Sequence, residues 1–239
     1  CIPTNLPGYA DYSVASLDRF ARVWGRRPPA APGLVVTEMV EGCLDGRIRA
    51  MYVVGENPLL SEPDLHHAEK ALGQLDCLVV QDLFMHETAE RAHVFLPAAA
   101  FAEKDGTFTN SERRVQRVRR ALPPPGETRP DWWISAELAR RIARRLGLPA
   151  TGFDWDDPSQ IWEELAGLWP AAAGISYARL ESAGLQWPCP TPDHPGTRFL
   201  YADAFPRGRA RFVPVAQTAA ADELPDPEYP FTLSTGRLL

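Results

Sequence analysis

Between residues 48 and 97, short apolar runs alternate with segments of helical periodicity, and each run stops at a turn-forming residue. Residues 48–54 (IRAMYVV) end at Gly55, 77–80 (CLVV) run into Gln81-Asp82, and 93–96 (HVFL) are stopped by Pro97. Between them, residues 63–75 carry Leu65, Ala68, Leu72 and Leu75 at helical spacing behind Asp64, a candidate N-cap, and residues 85–92 read as a further helix. Runs without polar alternation suit strands covered on both sides, as parallel strands are. Strand–helix–strand order demands crossover connections, and right-handed crossovers place helices on both faces of the sheet. The expected fold class is α/β: a mostly parallel, Rossmann-like sheet with helices on both faces and irregular N- and C-terminal extensions.

Ligands of such sheets sit beyond the carboxyl ends of the strands. Here those ends are Gly55-Glu56-Asn57-Pro58, Gln81-Asp82 and Pro97. Gly55 permits a sharp turn and a close approach to a ligand. Asn57 offers a donor and an acceptor, and Glu56 a carboxylate for a ribose hydroxyl or base edge; the same residues also suit a plain strand-to-helix turn. Asp82 can accept two hydrogen bonds from a diol or guanine edge, or can cap the next helix. A third polar cluster, EKDGTFTNSERR at 103–114, crowds charges and hydroxyls around Gly106, as a functional loop or a solvated hairpin would. No G-x-G-x-x-G and no G-K-[ST] is present.

The flanking regions are more broken. A helix is expected near 14–23, a loop at 26–33 (RRPPAAPG) and a short helix at 37–44. Residues 111–120 read as a strand or hairpin arm. The strongest helix, 131–146, carries Trp132, Ile134, Leu138, Ile142 and Leu146 as an apolar stripe, with Asp131 as N-cap and Gly147 past its end. Another helix follows Asp157 at 158–168; 187–195 (WPCPTPDHP) is a surface loop, and 211–215 and 229–234 are strands. The expected organisation is a lead-in at 1–33, an α/β nucleotide-binding domain at 34–150, a helical and loop extension at 151–222, and the first strand of a following β-barrel at 223–239.

Composition narrows the function. The chain has 239 residues, 45% hydrophobic and 23% charged, enough for a sizeable core. A net charge of −6 argues against a general nucleic-acid binder. No apolar run approaches the roughly 18 residues of a membrane span. Cys1, Cys43, Cys77 and Cys189 match no metal or redox spacing, and the five histidines form no H-E-x-x-H. No G-x-S-x-G is present either, so no residue is assigned as catalytic or as a metal ligand. A start at Cys1 and an end at Arg237-Leu238-Leu239, just after an apolar run, suggest a piece of a longer chain.

Several motifs together carry a resemblance. In order they are Gly55-Glu56-Asn57-Pro58, Val79-Val80-Gln81-Asp82-Leu83-Phe84, Glu87-Thr88-Ala89, Val94-Phe95-Leu96-Pro97-Ala98 and EKDGTFTNSERRVQ at 103–116. Downstream come Asp131-Trp132-Trp133-Ile134, GLQWPCP at 184–190 and YPFTLSTGR at 229–237. This pattern resembles the molybdopterin oxidoreductase family, and within it the large (alpha) subunit of molybdenum- or tungsten-dependent formate dehydrogenases. His86, His93 and Phe95 depart from that pattern, which usually has Thr, Asp and Val there.

The resemblance implies a bis-molybdopterin guanine dinucleotide cofactor carrying molybdenum or tungsten, with a 4Fe-4S cluster elsewhere in the parent protein. It places Gly55, Glu56, Asn57, Gln81 and Asp82 along one nucleotide end, with Phe84 and Thr88 alongside. Asp105 is implied as the carboxylate that reads guanine, whose N1–H and N2–H₂ are adjacent donors. Thr235 and Arg237, flanking Gly236, would open the next domain, Arg237 suiting a pyrophosphate or pterin. The implied partners are the remaining domains of the same subunit, an electron-transfer subunit and formate, with a cytoplasmic location unless an export signal lies upstream. Alternatives are a nitrate reductase of the same family and a non-catalytic α/β scaffold that has lost the cofactor. Retention of the polar set at 55–57, 81–82 and 105 argues against the scaffold.

Overall fold

The apolar runs pair as parallel strands. β1 (Ala50–Val54) lies beside β2 (Cys77–Asp82), which lies beside β3 (Val94–Pro97), giving the sheet order β1-β2-β3. The register sets Tyr52 opposite Val79 and Val53 opposite Val80, then Val79 opposite Val94 and Val80 opposite Phe95. The structure, a computed structural model, describes residues 5–205, 207–217 and 224–232. Contacts divide the chain into two units, Cys1–Arg198 and Phe199–Leu239.

Side chains alternate across each strand, so the pairing sorts them onto two faces. One face presents Met51, Val53, Leu78 and Val80. Helices α2 (Val36–Leu44) and α4 (Leu65–Leu72) cover it, burying Cys43, Ala71, Leu72, Leu75 and Ala89 with it. α4 is shorter than the spacing predicts, and Asp64 caps it by accepting from His67 N (2.9 Å). A single turn, α3 (Pro58–Ser61), precedes it. The opposite face carries Tyr52, Val54, Val79, Gln81 and Val94, of which Tyr52, Val54 and Val94 remain exposed.

The β2–β3 connection departs from expectation. Its helix is one turn, α5 (Glu87–Glu90), rather than the whole of 85–92, because Leu83, Phe84 and Met85 are needed to leave the strand. His86 caps that turn, its Nδ1 accepting from Ala89 N (3.3 Å), so Asp82 is not the cap.

Beyond β3 the chain builds an antiparallel sheet. β4 (Gly106–Thr109) and β5 (Arg114–Val118) form a hairpin, and β6 (Leu185–Gln186) adds to β5. Asn110 shapes the turn, its Oδ1 accepting from Glu112 N and Arg114 N (both 3.0 Å). Val115 is fully buried against α7 (Pro158–Leu168) and α8 (Tyr177–Leu180). The Pro-rich loop at 187–195 is less superficial than its composition suggests, since Cys189 is fully buried in the same cluster. At the N-terminal end, α1 (Val14–Trp24) packs Leu17 and Phe20 against Leu6 and Leu168.

Helix α6 (Asp131–Arg145) corrects two expectations. Asp131 is its first residue and Pro130 its N-cap; the Asp131 carboxylate is turned to other elements. Its apolar stripe is only partly used, for Ile134 is buried while Ile142 and Leu146 are exposed. Gly147 follows it with φ 66°, as the expected helix stop.

Within the second unit, the strand expected at 211–215 is irregular, with Phe212, Val213 and Val215 exposed. Residues 229–232 are also without strand, and 233–234 lie outside the described residues. A strand needs a neighbour for its backbone groups, and none pairs with these segments among the described residues. No helix among the described residues is long and apolar enough to cross a membrane.

Candidate functional site

The parallel strands deliver their carboxyl ends to one edge. Leaving β1, Gly55 adopts φ 62° and its N–H donates to Gln81 O (2.9 Å), which locks the turn to β2. No atom lies within 4 Å of where a Gly55 Cβ would stand, so the backbone is open on that side. Glu56 is exposed and accepts from Ser61 Oγ (2.8 Å). Leaving β2, Asp82 accepts from Leu83 N (2.6 Å) and lies 3.2 Å from His86 Nε2. Because His86 Nδ1 accepts from Ala89 N, the Nε2 nitrogen is the one left to donate to Asp82. Leu83, Phe84 and Met85 are exposed here, Phe84 by 74%. Leaving β3, Ala98 N donates to Asp82 O (3.0 Å).

Two of the expected contact residues are interior. Thr88 has no exposed surface; its hydroxyl donates to Asn57 Oδ1 (2.7 Å) and accepts from Leu59 N (3.1 Å). Asn57 in turn donates to Glu87 Oε2 (2.7 Å), which holds the Glu87 carboxyl below the usual carboxylate range. Asn57 and Thr88 therefore clip α3 to α5. Gln81 is also fully buried, its Nε2 donating to Asp131 Oδ1 (2.8 Å) and its Oε1 accepting from the Tyr52 hydroxyl. Burial pushes the Tyr52 phenol up.

Asp105 arrives by another route, just before β4. It is half-exposed, its Oδ1 accepting from Arg120 N (3.4 Å) and lying 3.8 Å from Arg117 Nη2. Its neighbour Lys104 pairs with Asp131 Oδ2. Arg117 also bonds Glu181 (2.9 Å) and stacks over Tyr177 (4.1 Å to the ring centroid). Burial raises the Tyr177 phenol. Thr235 and Arg237 lie outside the described residues.

The structure thus brings Gly55, Glu56, Asp82 and Phe84 to one open edge and links Asp105 to it through side chains to which the sequence assigns no part in the site. Those are Tyr52, Lys104 and Asp131, with Arg117 behind Asp105. Lys104 is one of two lysines in an arginine-rich chain, the one signal that could have drawn notice. Nothing in the spacing announces that Asp131, fifty positions after Gln81, meets it.

Residues 15–141 match the molybdopterin oxidoreductase family model. The chain belongs to the molybdopterin oxidoreductase family. It is 43% identical over 241 residues to the F420-dependent formate dehydrogenase 2 subunit alpha of Methanococcus maripaludis, covering all of this chain and 34% of that protein. Against formate dehydrogenase H of Escherichia coli it is 36% identical over 243 residues, covering 99% of this chain and 33% of that one. The chain spans about a third of the length of these relatives. Among solved structures, acetylene hydratase from Pelobacter acetylenicus matches 71% of this chain and 23% of its own, with 21% identity and a TM-score of 0.50, a likeness of fold.

Membership in the molybdopterin oxidoreductase family implies a molybdenum- or tungsten-pterin cofactor, and the edge can be tested for its fit. An open left-handed glycine, two partly exposed carboxylates and an unshielded aromatic ring suit a nucleotide's sugar hydroxyls, base donors and base face respectively. Gly55, Glu56, Asp82, Phe84 and Asp105 each have surface open to such a group. The side chains of Gln81 and Thr88 have no exposed surface.

Proposed function

We propose that this chain is a portion of a formate dehydrogenase-like molybdopterin oxidoreductase, and that residues 34–150 hold one guanine dinucleotide end of its cofactor. Residues 1–33 would lead in from a preceding domain, 151–222 extend the nucleotide-binding domain, and 223–239 lead into the next. The observation that carries the reading is the convergence of carboxylates, an open glycine and an exposed aromatic ring at the exits of parallel strands, where α/β sheets bind nucleotides. The identity to formate dehydrogenase alpha subunits supports formate as the substrate.

When bound, the metal–pterin group would supply the acceptor for the two electrons that formate gives up as it becomes CO₂ and a proton. This chain's residues bind and orient. Asp105 presents its free carboxylate oxygen to the adjacent N1–H and N2–H₂ donors of guanine, a pair adenine lacks. Asp82 and Glu56 accept from ribose hydroxyls, Phe84 offers a stacking face, and Gly55 lets the backbone come close. Asn57, Thr88 and Gln81 support these groups from beneath. Thr235 and Arg237 serve the pyrophosphate or pterin side. The residues that ligate the metal and a 4Fe-4S cluster belong to the rest of the protein, as does the surface for an electron-transfer subunit. No residue here performs the redox step.

The test uses the full-length protein purified with its cofactor. Guanine nucleotide released by acid hydrolysis is compared among the wild type, Asp82→Ala and Asp105→Ala. Both variants are expected to carry a small fraction of the wild-type nucleotide. Unchanged nucleotide in both would remove this edge from the binding site.

A further inference from the structure

Asp131 stands between the two halves of the proposed nucleotide site. One of its carboxylate oxygens accepts from Gln81 Nε2 (2.8 Å), and the other pairs with Lys104. Gln81 immediately precedes Asp82, and Lys104 immediately precedes Asp105. A single side chain thus joins the neighbours of both candidate ligand carboxylates. We infer that the Gln81–Asp131–Lys104 chain is a positioning device that sets where Asp105 stands relative to the Asp82 edge. The inference rests on the nucleotide-binding reading above.

The path of the backbone shows why a tether is needed. Ala98 is still tied to β2 through Asp82 O, and Ala99 N donates to Arg129 O (2.9 Å). Past Ala99 the loop turns on itself: Ala100 N donates to Glu103 Oε2 (2.8 Å), and Glu103 N to Ala100 O (2.9 Å). Its other backbone bonds run from Ala121 N and Leu122 N to Ala102 O, toward the far end of the hairpin. Asp105 itself is held by Arg117 and Arg120 of that hairpin. The Lys104–Asp131 pair is therefore the side-chain link that returns the Asp105 segment to the parallel sheet.

The Gln81 end is fixed in turn. Gln81 is fully buried, and its carbonyl is occupied by the Tyr52 hydroxyl, so its amide has one orientation that satisfies both neighbours. The Asp131 and Lys104 side chains are 38% and 23% exposed, so the pair is partly shielded from water and stiffer than a free surface ion pair. Because Asp131 is the first residue of α6, the same side chain also ties the start of α6 to the sheet.

The experiment measures the rate of cofactor loss from the purified full-length protein, read as guanine nucleotide appearing in the filtrate over time. Lys104→Met and Asp131→Asn are each made alone and in the Asp105→Ala background, with Lys104→Arg as the charge-conserving control. Each single change is expected to speed loss at least ten-fold, and Lys104→Arg to restore most of the retention. In the Asp105→Ala background neither change should add more than two-fold, because a residue that acts through Asp105 has nothing left to position. An equal acceleration in both backgrounds overturns the positioning role while leaving the site reading intact. Normal retention by Asp105→Ala overturns the positioning role and removes Asp105 from the site, and normal retention by Asp82→Ala as well overturns the site reading itself. Should Asp131→Asn fail to fold, the Lys104 pair of variants decides the matter alone.

Discussion

Thr88→Val separates a buried clip from a cofactor contact. Valine matches threonine in shape, so packing is preserved while the hydroxyl is lost. That hydroxyl makes two hydrogen bonds in a place with no exposed surface: one to Asn57 Oδ1 (2.7 Å) and one from Leu59 N (3.1 Å). Removing it leaves Leu59 N short of a partner and Asn57 Oδ1 with only the longer bond from Thr88 N (3.4 Å), at about 1–3 kcal/mol. The loss falls on the opening of the 57–60 turn, so its amide protection should drop roughly 5- to 160-fold. Hydrogen exchange followed by mass spectrometry on the full-length protein reads this directly in peptides spanning 55–62 and 86–92. Thr88→Ser restores the hydroxyl and should recover most of the protection. Exchange unchanged in those peptides, together with lost cofactor, would refute the clip and make Thr88 a direct contact after all.

Three further changes probe the scaffold. Gly174→Ala would put a Cβ 2.0 Å from Thr191 O, with backbone on both sides, and should lower stability by at least about 2 kcal/mol in thermal melts. Gly55→Ala meets no atom but must keep φ 62°, so it should cost only about 1–2 kcal/mol, with the melting temperature as the readout. Glu87 has its carboxyl lowered, chiefly by the Asn57 amide, from an ordinary value of 4.5. A depressed acid stabilises fully above its unfolded value and loses that contribution as pH falls through the folded one. Acid titration of local exchange at 55–62 should therefore show a loss of protection beginning below about 4.5 that Asn57→Ala abolishes.

The parallel core was legible because its signals are local and redundant. Three apolar runs, each closed by Gly, Gln-Asp or Pro, marked the three parallel strands, and Asp64 and Gly147 marked helix ends by their own backbone chemistry. Elements that depend on distant partners were not legible. The expected strand at 211–215 and the described part, 229–232, of that at 229–234 have the apolar residues of strands, yet a strand is completed by its neighbour, which local composition cannot supply. The stripe of α6 was over-read for the same reason: spacing shows that Ile142 and Leu146 share a helix face, but not that the face stays exposed.

At the site, the sequence located the strand exits but did not separate groups that point outward from groups that point inward. Parity carries part of that distinction. Gln81 shares the face of Tyr52 and Val79, opposite Leu78 and Val80, and on that face only a polar cover could bury an amide. The cover is the Asp131 carboxylate, brought from fifty residues downstream, and no local rule predicts such a meeting. Asp131 stands one position inside α6, after the Pro130 N-cap, and its two oxygens go to Gln81 and Lys104. Asp131, expected as a cap, and Gln81, expected along the nucleotide, are thus two ends of one hydrogen bond. A buried polar group must find its partner somewhere, and here the partner lies on the segment that also steers Asp105.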